Sequence, residues 1–119
     1  MIIHHNIWKW GDTYTIIRYD GKAKVEVTIS NDEPEVAYIN GLSVYEPQRG
    51  KGYGKIMLED AIAQANKIGC KYAYLHCDKD SFVFDWYKQR GFQYFGDKPN
   101  ENGFVPMYVQ LDRLSHVQL

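Results

Sequence analysis

The segment from Val36 to Ile68 places the strongest constraint on the fold of this chain. It begins with the β-rich run VAYINGLSV, continues through the glycine-rich turn RGKGYG, and ends in a long amphipathic run. Apolar residues recur along that last run with the spacing of one buried helical face. They are Leu58, Ala61, Ile62, Ala65 and Ile68. Gly69 follows as a suitable C-cap, so a strand, a glycine turn and a helix are predicted in this order.

Two β-rich runs before this segment predict a hairpin. The runs TYTIIRYD and KAKVEVTIS meet at Asp20-Gly21, a dipeptide that favours a two-residue turn. In the second run, Val25, Val27 and Ile29 alternate with polar residues, so one face of that strand is expected to be buried. Residues 1–11 have two interpretations: an edge strand, or the front half of a longer hairpin.

The remaining segments predict a strand, a short helix and a final strand pair. KYAYLHC is the expected strand. The helix is expected over roughly Phe82 to Arg90, with Asp78, Asp80 and Ser81 as cap-type residues before it. That helix should stop at Gly91, with Phe92 folding back on it. The runs QYFG and VPMYVQL form the expected final pair, and Gly41 indicates either a bulge or a point of close approach in the strand before the glycine turn.

The order of these elements predicts the fold class. Antiparallel meanders flank one strand–helix–strand unit, which favours a mixed α/β (α+β) architecture with helices on a mixed sheet. The 119 residues are expected to form a single domain, residues 1–119.

Composition and charge argue against several classes of partner. The net charge is −1, which disfavours bulk attraction to nucleic acid or to a membrane surface. No apolar run approaches the roughly 20 residues of a membrane span, and the first ten residues lack the pattern of a signal peptide. The two cysteines, Cys70 and Cys77, lack metal-site spacing and are interpreted as reduced thiols. No metal site is predicted, and a cytoplasmic location is expected.

The glycine turn has the chemistry of an anion site. Backbone N–H groups of such a turn point into one concavity, and a helix N-terminus adds unpaired donors with a partial positive charge. This arrangement suits a phosphate or a pyrophosphate. The spacing from Gly50 to Lys55 fits neither a P-loop nor the dinucleotide pattern G-x-G-x-x-G. By itself the turn is also compatible with a loop of solvated lysines.

Two motifs together resemble the GNAT family of N-acetyltransferases. Arg49 to Gly54 (RGKGYG) matches R/Q-x-x-G-x-G/A, the acyl-CoA pyrophosphate signature of that family. Trp86 to Phe92 (WYKQRGF) resembles the family segment Y-x-x-x-G-F at the end of the last helix. The resemblance covers roughly Val25 to Leu111 and implies a GNAT-like sheet, mostly antiparallel, with a central parallel strand pair splayed for CoA.

The resemblance also implies where acetyl-CoA, the cosubstrate, binds. It would lie between the parallel strands Val36–Val44 and Tyr72–Cys77, with its pyrophosphate on the amides of the glycine turn. Main-chain groups at the end of the first strand would pair with the pantetheine arm as an added strand does. The implied cofactor-binding residues are Leu42, Ser43, Val44, Arg49, Gly50, Lys51, Gly52, Tyr53, Gly54, Lys55 and Asp80.

By the same resemblance, Tyr87 is the tyrosine near the thioester sulfur that acts as general acid. A phenol titrates near ~10 and a thiol near ~8.5, so complete proton transfer from Tyr87 to the sulfur is uphill. We therefore expect Tyr87 to donate a hydrogen bond that tightens as the C–S bond breaks. Relatives often carry Glu or His where this chain has Tyr38 and Asn40. Neither is a good base, so the expected alternatives are a water relay through these two residues or a less basic amine. His76 is an outside candidate.

Two departures from the family pattern bear on the substrate. Asp80 stands where many relatives have an asparagine on the cofactor arm, and we favour a helix cap for it. The N-terminal part is short: relatives usually place two helices between their first two strands, and these wall the acceptor site. Here the site is expected to be open, or completed by a second subunit or by the Lys98–Gly103 loop.

Three functions compete on the sequence alone. The leading hypothesis is an acetyl-CoA-dependent N-acetyltransferase acting on an amine-bearing small molecule or peptide, as a monomer or homodimer. The second is a CoA-binding sensor or regulatory module without turnover. The third is an interaction domain that grips nucleic acid, which the net charge and the lack of a basic stripe oppose. Its basic and aromatic residues would be Trp8, Lys9, Trp10, Arg49, Lys51 and Lys55.

Overall fold

The computed structural model of the chain describes residues 1–48, 50–94, 96 and 103–111. Within these ranges the strands are β1 (Ile2–Trp8), β2 (Gly11–Arg18), β3 (Ala23–Ser30), β4 (Val36–Val44), β5 (Tyr72–Asp78), β6 (Gln93–Tyr94) and β7 (Phe104–Gln110). The helices are α1 (Tyr53–Ile68) and α2 (Phe82–Gln89), and a short 3-10 turn covers Glu46–Gln48.

All the described strands belong to one sheet in the order β1-β2-β3-β4-β5-β7-β6. Strands β4 and β5 run parallel, and every other neighbouring pair is antiparallel. The crossover between the two parallel strands is α1. The predicted mixed, mostly antiparallel sheet with one parallel pair is therefore confirmed.

Strand β1 adds one strand to the order predicted from the sequence. It pairs with β2 over its whole length, from Ile2 opposite Ile17 to Trp8 opposite Gly11. It is thus both an edge strand and the front half of a longer hairpin. Each of its residues is exposed, so the strand carries no alternation of buried and exposed positions that a sequence pattern can reveal.

The predicted β2–β3 hairpin is confirmed. Asp20 and Gly21 form the centre of its turn, which is closed by a hydrogen bond from the Lys22 N–H to the Tyr19 carbonyl. Both central residues have positive φ, 56° and 86°, as a type I′ turn requires. The apolar residues of β3 are buried as the alternation predicts, with Val25 and Val27 fully inaccessible.

Helix α1 begins two residues before the predicted Lys55 and ends at Ile68 as predicted. Gly69 takes the left-handed conformation after it, with φ of 101°, and its N–H bonds back to the last turn. The helix buries Met57, which the predicted face omitted, together with three residues that it included. These are Leu58, Ala61 and Ala65.

Helix α2 ends at Gln89, one residue before the predicted Arg90, which is its C-cap. Gly91 has φ of 94°, and the N–H of the buried Phe92 donates to the carbonyl of Tyr87, so the chain does fold back. The expectation that Asp80 caps this helix is wrong. Ser81 holds the N-cap position, and its hydroxyl donates to the carbonyl of Asp78 instead of capping the first turn.

The two faces of the sheet differ in what covers them. One face carries the core, in which strand side chains such as Val27, Ala73 and Met107 pack with α1 and with Tyr87 of α2. The opposite face carries Tyr38, Tyr74 and the other side chains of that parity, and neither described helix packs on it. We call this surface the open face. None of the helices in the described part of the chain is long and apolar enough to cross a membrane.

Candidate functional site

The two parallel strands separate before they end. Pairing between β4 and β5 runs from Val36 opposite Tyr72 to Tyr38 opposite Tyr74, and no later pair is formed among the described residues. Both strands continue past this point, to Val44 and Asp78. A gap therefore opens between them beyond the Tyr38–Tyr74 pair, as the predicted splay requires.

A bulge redirects β4 inside this gap. Lys24 and Glu26 of β3 are two residues apart, yet they oppose Ser43 and Asn40, which are three residues apart. The extra residue lies next to Gly41, whose φ is 62°. The bulge, one of the two alternatives expected at Gly41, is confirmed, and it changes the direction of the strand just before the glycine turn.

A cleft of about 550 Å³ lies between the end of β4, the glycine turn and α2. We call it the glycine-turn cleft. Its lining residues are Leu42, Ser43, Val44, Gly50, Gly52, Tyr53, Gly54, Lys55, Val83, Trp86, Tyr87 and Arg90. The first eight of these, together with Tyr87, were predicted from the sequence, so the cleft brings both motifs to one surface.

The turn itself is shaped to bind an anion. Gly50 and Gly52 have φ of 83° and 80°, a conformation that side-chain-bearing residues rarely adopt. A Cβ on either glycine would meet no described atom within 4 Å, so the backbone is open to an approaching ligand. Gly52 is the N-cap of α1 and provides no side chain to bond its first N–H groups. The residues present therefore fit a pyrophosphate.

The glycine turn is anchored by a ring contact that the sequence did not reveal. Tyr53, the first residue of α1, stacks on Tyr19 of the β2–β3 turn, with ring centroids 3.9 Å apart and planes inclined by 18°. Tyr19 itself has positive φ, 57°. The stack links the start of α1 to the neighbouring hairpin turn, and only the folded chain brings these residues together.

Three further residues of α2 line the cleft and were missed: Val83, Trp86 and Arg90. Their spacing around Tyr87 is that of one helical face, which is the signal that would have found them. The Arg90 guanidinium lies 3.7 Å from the centroid of the Trp86 ring. Its Nε is buried without a hydrogen-bond partner among the described residues, which leaves a donor for a ligand.

Tyr87 is the most deeply buried polar side chain of the cleft, at 9% exposure. Its ring contacts Trp86 and Phe92 edge to face, with centroids 5.1 Å and 5.6 Å away. Burial, and secondarily the nearby Cys77, raises the pKa of Tyr87 to about 12. The hydroxyl is therefore a neutral hydrogen-bond donor across the physiological range.

The remaining predicted site residues lie elsewhere. Tyr38 is on the open face, where its hydroxyl is 2.6 Å from Nδ1 of His76. Asn40 follows it on the same face, and its Oδ1 is buried with no hydrogen-bond partner within the described ranges. Lys51 and Asp80 do not line the cleft. Arg49 lies outside the described residues, as do residues 98–102 of the loop suggested as a wall.

A second concavity, of about 670 Å³, lies on the open face. We call it the open-face groove. Its lining is rich in tyrosine and includes one carboxylate: Thr28, Ser30, Glu33, Val36, Tyr38, Tyr72, Tyr74 and Tyr108. This groove and the glycine-turn cleft share no lining residue.

Comparison with known proteins agrees with this geometry. The sequence profile described as "Acetyltransferase (GNAT) family" matches residues 4–92. An acetyltransferase from Bacillus subtilis, solved in complex with CoA, superposes with a TM-score of 0.67 at 23% identity, over 87% of this chain and 78% of that one. No curated protein sequence matches the chain significantly.

Two other solved structures share the fold. The first, titled a putative acyl-CoA N-acyltransferase from Klebsiella pneumoniae, has a TM-score of 0.66 and 16% identity, over 87% of this chain and 74% of that one. The second, a spermidine N-acetyltransferase chimera from Vibrio cholerae and hSSAT, has a TM-score of 0.70 and 17% identity, over 87% and 68%. With the family profile spanning most of its length, the chain belongs to the GNAT family of acetyltransferases, enzymes that use acetyl-CoA.

Proposed function

We propose that this protein transfers the acetyl group of acetyl-CoA to a primary amine by direct attack, with Tyr87 donating a hydrogen bond to the departing sulfur. The observation that carries the proposal is the glycine-turn cleft. It joins the glycine turn, the end of β4 that is not paired with β5, and the buried residue Tyr87 on one surface.

In this proposal the phosphates rest on the backbone of the glycine turn. The open space at Gly50 and Gly52 lets a phosphate approach the N–H groups closely. Lys55, half exposed in the first turn of α1, adds a positive charge at the same end of the cleft. Of the motif residues that we assign to the cradle, Gly50, Gly52, Tyr53, Gly54 and Lys55 line the cleft, and Arg49 and Lys51 are assigned from the sequence motif alone.

The pantetheine arm is placed along β4. Leu42, Ser43 and Val44 line the cleft in the part of the strand that has lost its pairing with β5. An extended arm with amide groups adds to such an edge by main-chain hydrogen bonds. Arg90 Nε, buried and without a described partner, offers a donor from the opposite wall.

Tyr87 acts on the leaving group. Acetyl-CoA brings an activated thioester, and the protein must stabilise the charge that develops on sulfur. With a pKa of about 12, Tyr87 lies ~3.5 units above an ordinary thiol, so complete proton transfer to sulfur is uphill by about 5 kcal/mol. Tyr87 therefore works as a hydrogen-bond donor that strengthens as the bond breaks, and not as a full proton donor.

The acceptor is placed in the open-face groove. Four tyrosine rings and the Glu33 carboxylate suit an amine that arrives as a cation, through ring faces and charge. The likeness to a spermidine N-acetyltransferase points to the same class of compound. Tyr38 lines this groove and belongs to the last pair of β4 and β5, and Asn40 follows two residues later in β4, so we assign them to the handling of the attacking nitrogen.

The test is release of free thiol from acetyl-CoA across a panel of polyamines, aminoalkyl compounds and peptides with free N-termini. Amine-dependent, saturable release supports the proposal. If every amine gives the rate observed without protein, while CoA still protects the chain against heat, the chain binds the cofactor without turnover and the proposal is wrong.

A further inference from the structure

His76 is held at both of its ring nitrogens by tyrosine hydroxyls on the open face. The Tyr38 hydroxyl lies 2.6 Å from Nδ1, and the Tyr74 hydroxyl lies 3.2 Å from Nε2. The rings also contact one another, with centroids of Tyr38 and His76 5.8 Å apart and those of Tyr74 and His76 5.1 Å apart. The three residues form one cluster, which we call the Tyr–His–Tyr cluster.

The cluster lies at the point where the gap opens. Tyr38 and Tyr74 are the last pair that β4 and β5 form. His76 and Asn40 come next on their strands, two residues further along, and their side chains face the same side of the sheet. Asn40 Oδ1 is buried with no partner among the described residues, which leaves an acceptor for an N–H group entering the gap.

Either neutral form of the imidazole can make both contacts, and we assign the form that suits the shorter contact with Tyr38. A neutral histidine has one donor nitrogen and one acceptor nitrogen. The shorter contact is satisfied when the Tyr38 hydroxyl donates to Nδ1, and the longer one when the Nε2 hydrogen is donated to the Tyr74 oxygen. In this arrangement His76 presents Nδ1 as a proton acceptor, reached through the hydroxyl of Tyr38.

We propose that His76 is the proton acceptor of the acetyl transfer and receives the proton of the attacking amine through the Tyr38 hydroxyl, with Tyr74 as a positioning residue. The inference rests on the proposed acetyltransferase function. It replaces a water relay ending at Tyr38 and Asn40 with a relay that ends on a side chain able to hold a proton.

The step balances in atoms and charge. The amine first releases the extra proton of its cation to water and becomes neutral. Its nitrogen then forms a bond to the acetyl carbon, the C–S bond breaks, and the electron pair of that bond leaves on the CoA sulfur. One nitrogen-bound proton passes to the Tyr38 oxygen while the Tyr38 proton passes to Nδ1 of His76. His76 is exposed and returns this proton to water, and the thiolate is stabilised by the hydrogen bond from Tyr87.

The surroundings explain why the relay needs a histidine. Burial raises the pKa of Tyr38, so this phenol stays neutral and cannot itself hold the negative charge of a base. Burial also raises the pKa of Tyr74, with smaller effects from Tyr38 and Glu33. The residue opposite His76 on β7 is the uncharged Pro106, and the next side chain of the same parity on β5 is Asp78.

The test compares His76→Gln and Tyr38→Phe with matched controls, using the best amine of the thiol-release panel. General-base catalysis contributes about 10²- to 10⁴-fold, so kcat of His76→Gln should fall at least about 100-fold and that of Tyr38→Phe at least about tenfold. The controls are His4→Gln, an exposed histidine of β1, and Tyr94→Phe, a phenol that lines neither the open-face groove nor the glycine-turn cleft. Both should retain wild-type turnover, and all four variants should bind CoA normally.

The pH dependence separates a proton acceptor from a structural residue. A proton acceptor works only in its neutral form, and the titration of the amine itself is common to both proteins. The ratio of wild-type to His76→Gln turnover should therefore be large at high pH and fall toward one as the pH is lowered. A ratio that does not change with pH, or turnover of His76→Gln within about threefold of wild type, overturns the role of His76 and leaves the proposed acetyltransferase function standing. Absence of turnover in the wild type overturns the proposed function together with it.

Discussion

Replacing Tyr87 with phenylalanine removes one hydroxyl and leaves the ring in place. The edge-to-face contacts with Trp86 and Phe92 and the buried position of the ring do not depend on the oxygen. The wall of the cleft and its affinity for CoA should therefore be preserved. What the variant loses is the donor to the departing sulfur.

The size of the loss follows from the kind of hydrogen bond. Because the pKa of Tyr87 is about 12, the hydroxyl donates a hydrogen bond without giving up its proton. A hydrogen bond to a charged group is worth about 1.5–3 kcal/mol. With a tenfold change in rate for each ~1.4 kcal/mol, kcat should fall about 10- to 150-fold.

The assay is thiol release from acetyl-CoA at saturating amine, with CoA affinity measured separately by calorimetry. Tyr94→Phe is the matched control. Tyr94 lies in β6, its ring contacts Phe84 of α2, and it does not line the cleft. We expect Tyr94→Phe to turn over as the wild type does. Unchanged kcat in Tyr87→Phe would refute the role of its hydroxyl, and a parallel loss of CoA affinity would show that it holds the cleft together instead.

Three other changes test the account away from the leaving group. Gly52→Glu should abolish CoA binding in calorimetry, because it brings a negative charge to the phosphate cradle and a side chain to a position with positive φ. Gly69→Glu is the control: its position has a similar φ at the far end of α1, and this variant should bind CoA. Raising the pH from 10 to 12 should lower the unfolding free energy by about 2 kcal/mol through Tyr87 alone, because the unfolded chain loses this proton near 10.0 and the folded chain near 12. Gly11→Ala should lower the unfolding free energy by at least about 2 kcal/mol in denaturant titration, because its Cβ would lie 1.9 Å from the Ile29 carbonyl oxygen.

Each of these three has a result that would contradict it. Normal CoA binding by Gly52→Glu would show that the phosphates of CoA do not bind at the glycine turn. For the alkaline transition, the loss of stability should be smaller in Tyr87→Phe, and an equal loss in both proteins would assign it to other groups. A Gly11→Ala protein as stable as the wild type would mean that the start of β2 shifts at little cost.

The elements that the sequence predicted best are those with a buried side. Strand β3 and helix α1 carry periodic apolar residues because one face of each packs in the core. Strand β1 escaped a definite prediction because all its residues are exposed, so its pairing with β2 leaves no trace in hydrophobic periodicity. Asp80 was favoured as a cap because of its residue type. Helix α2 begins at Phe82, so the N-cap position belongs to Ser81.

The candidate site divides in the same way. The cofactor side was predictable because its binding groups are backbone atoms of a glycine turn, and the residues of this turn are consecutive in the sequence, from Gly50 to Gly54. The acceptor side was not, because Tyr38 and His76 come from two strands whose parallel register is set only by folding. The stack of Tyr53 on Tyr19 was not predictable either, because only folding brings these two residues together.

The most direct test of the central claim is the rate of CoA thiol release from acetyl-CoA by the purified chain, with and without each amine of the panel. We predict saturable release that requires both the protein and an amine, accompanied by one acetyl group on the amine for each thiol. Thiol release that stays at the protein-free rate for every amine would contradict the assignment of this cleft to acetyl transfer.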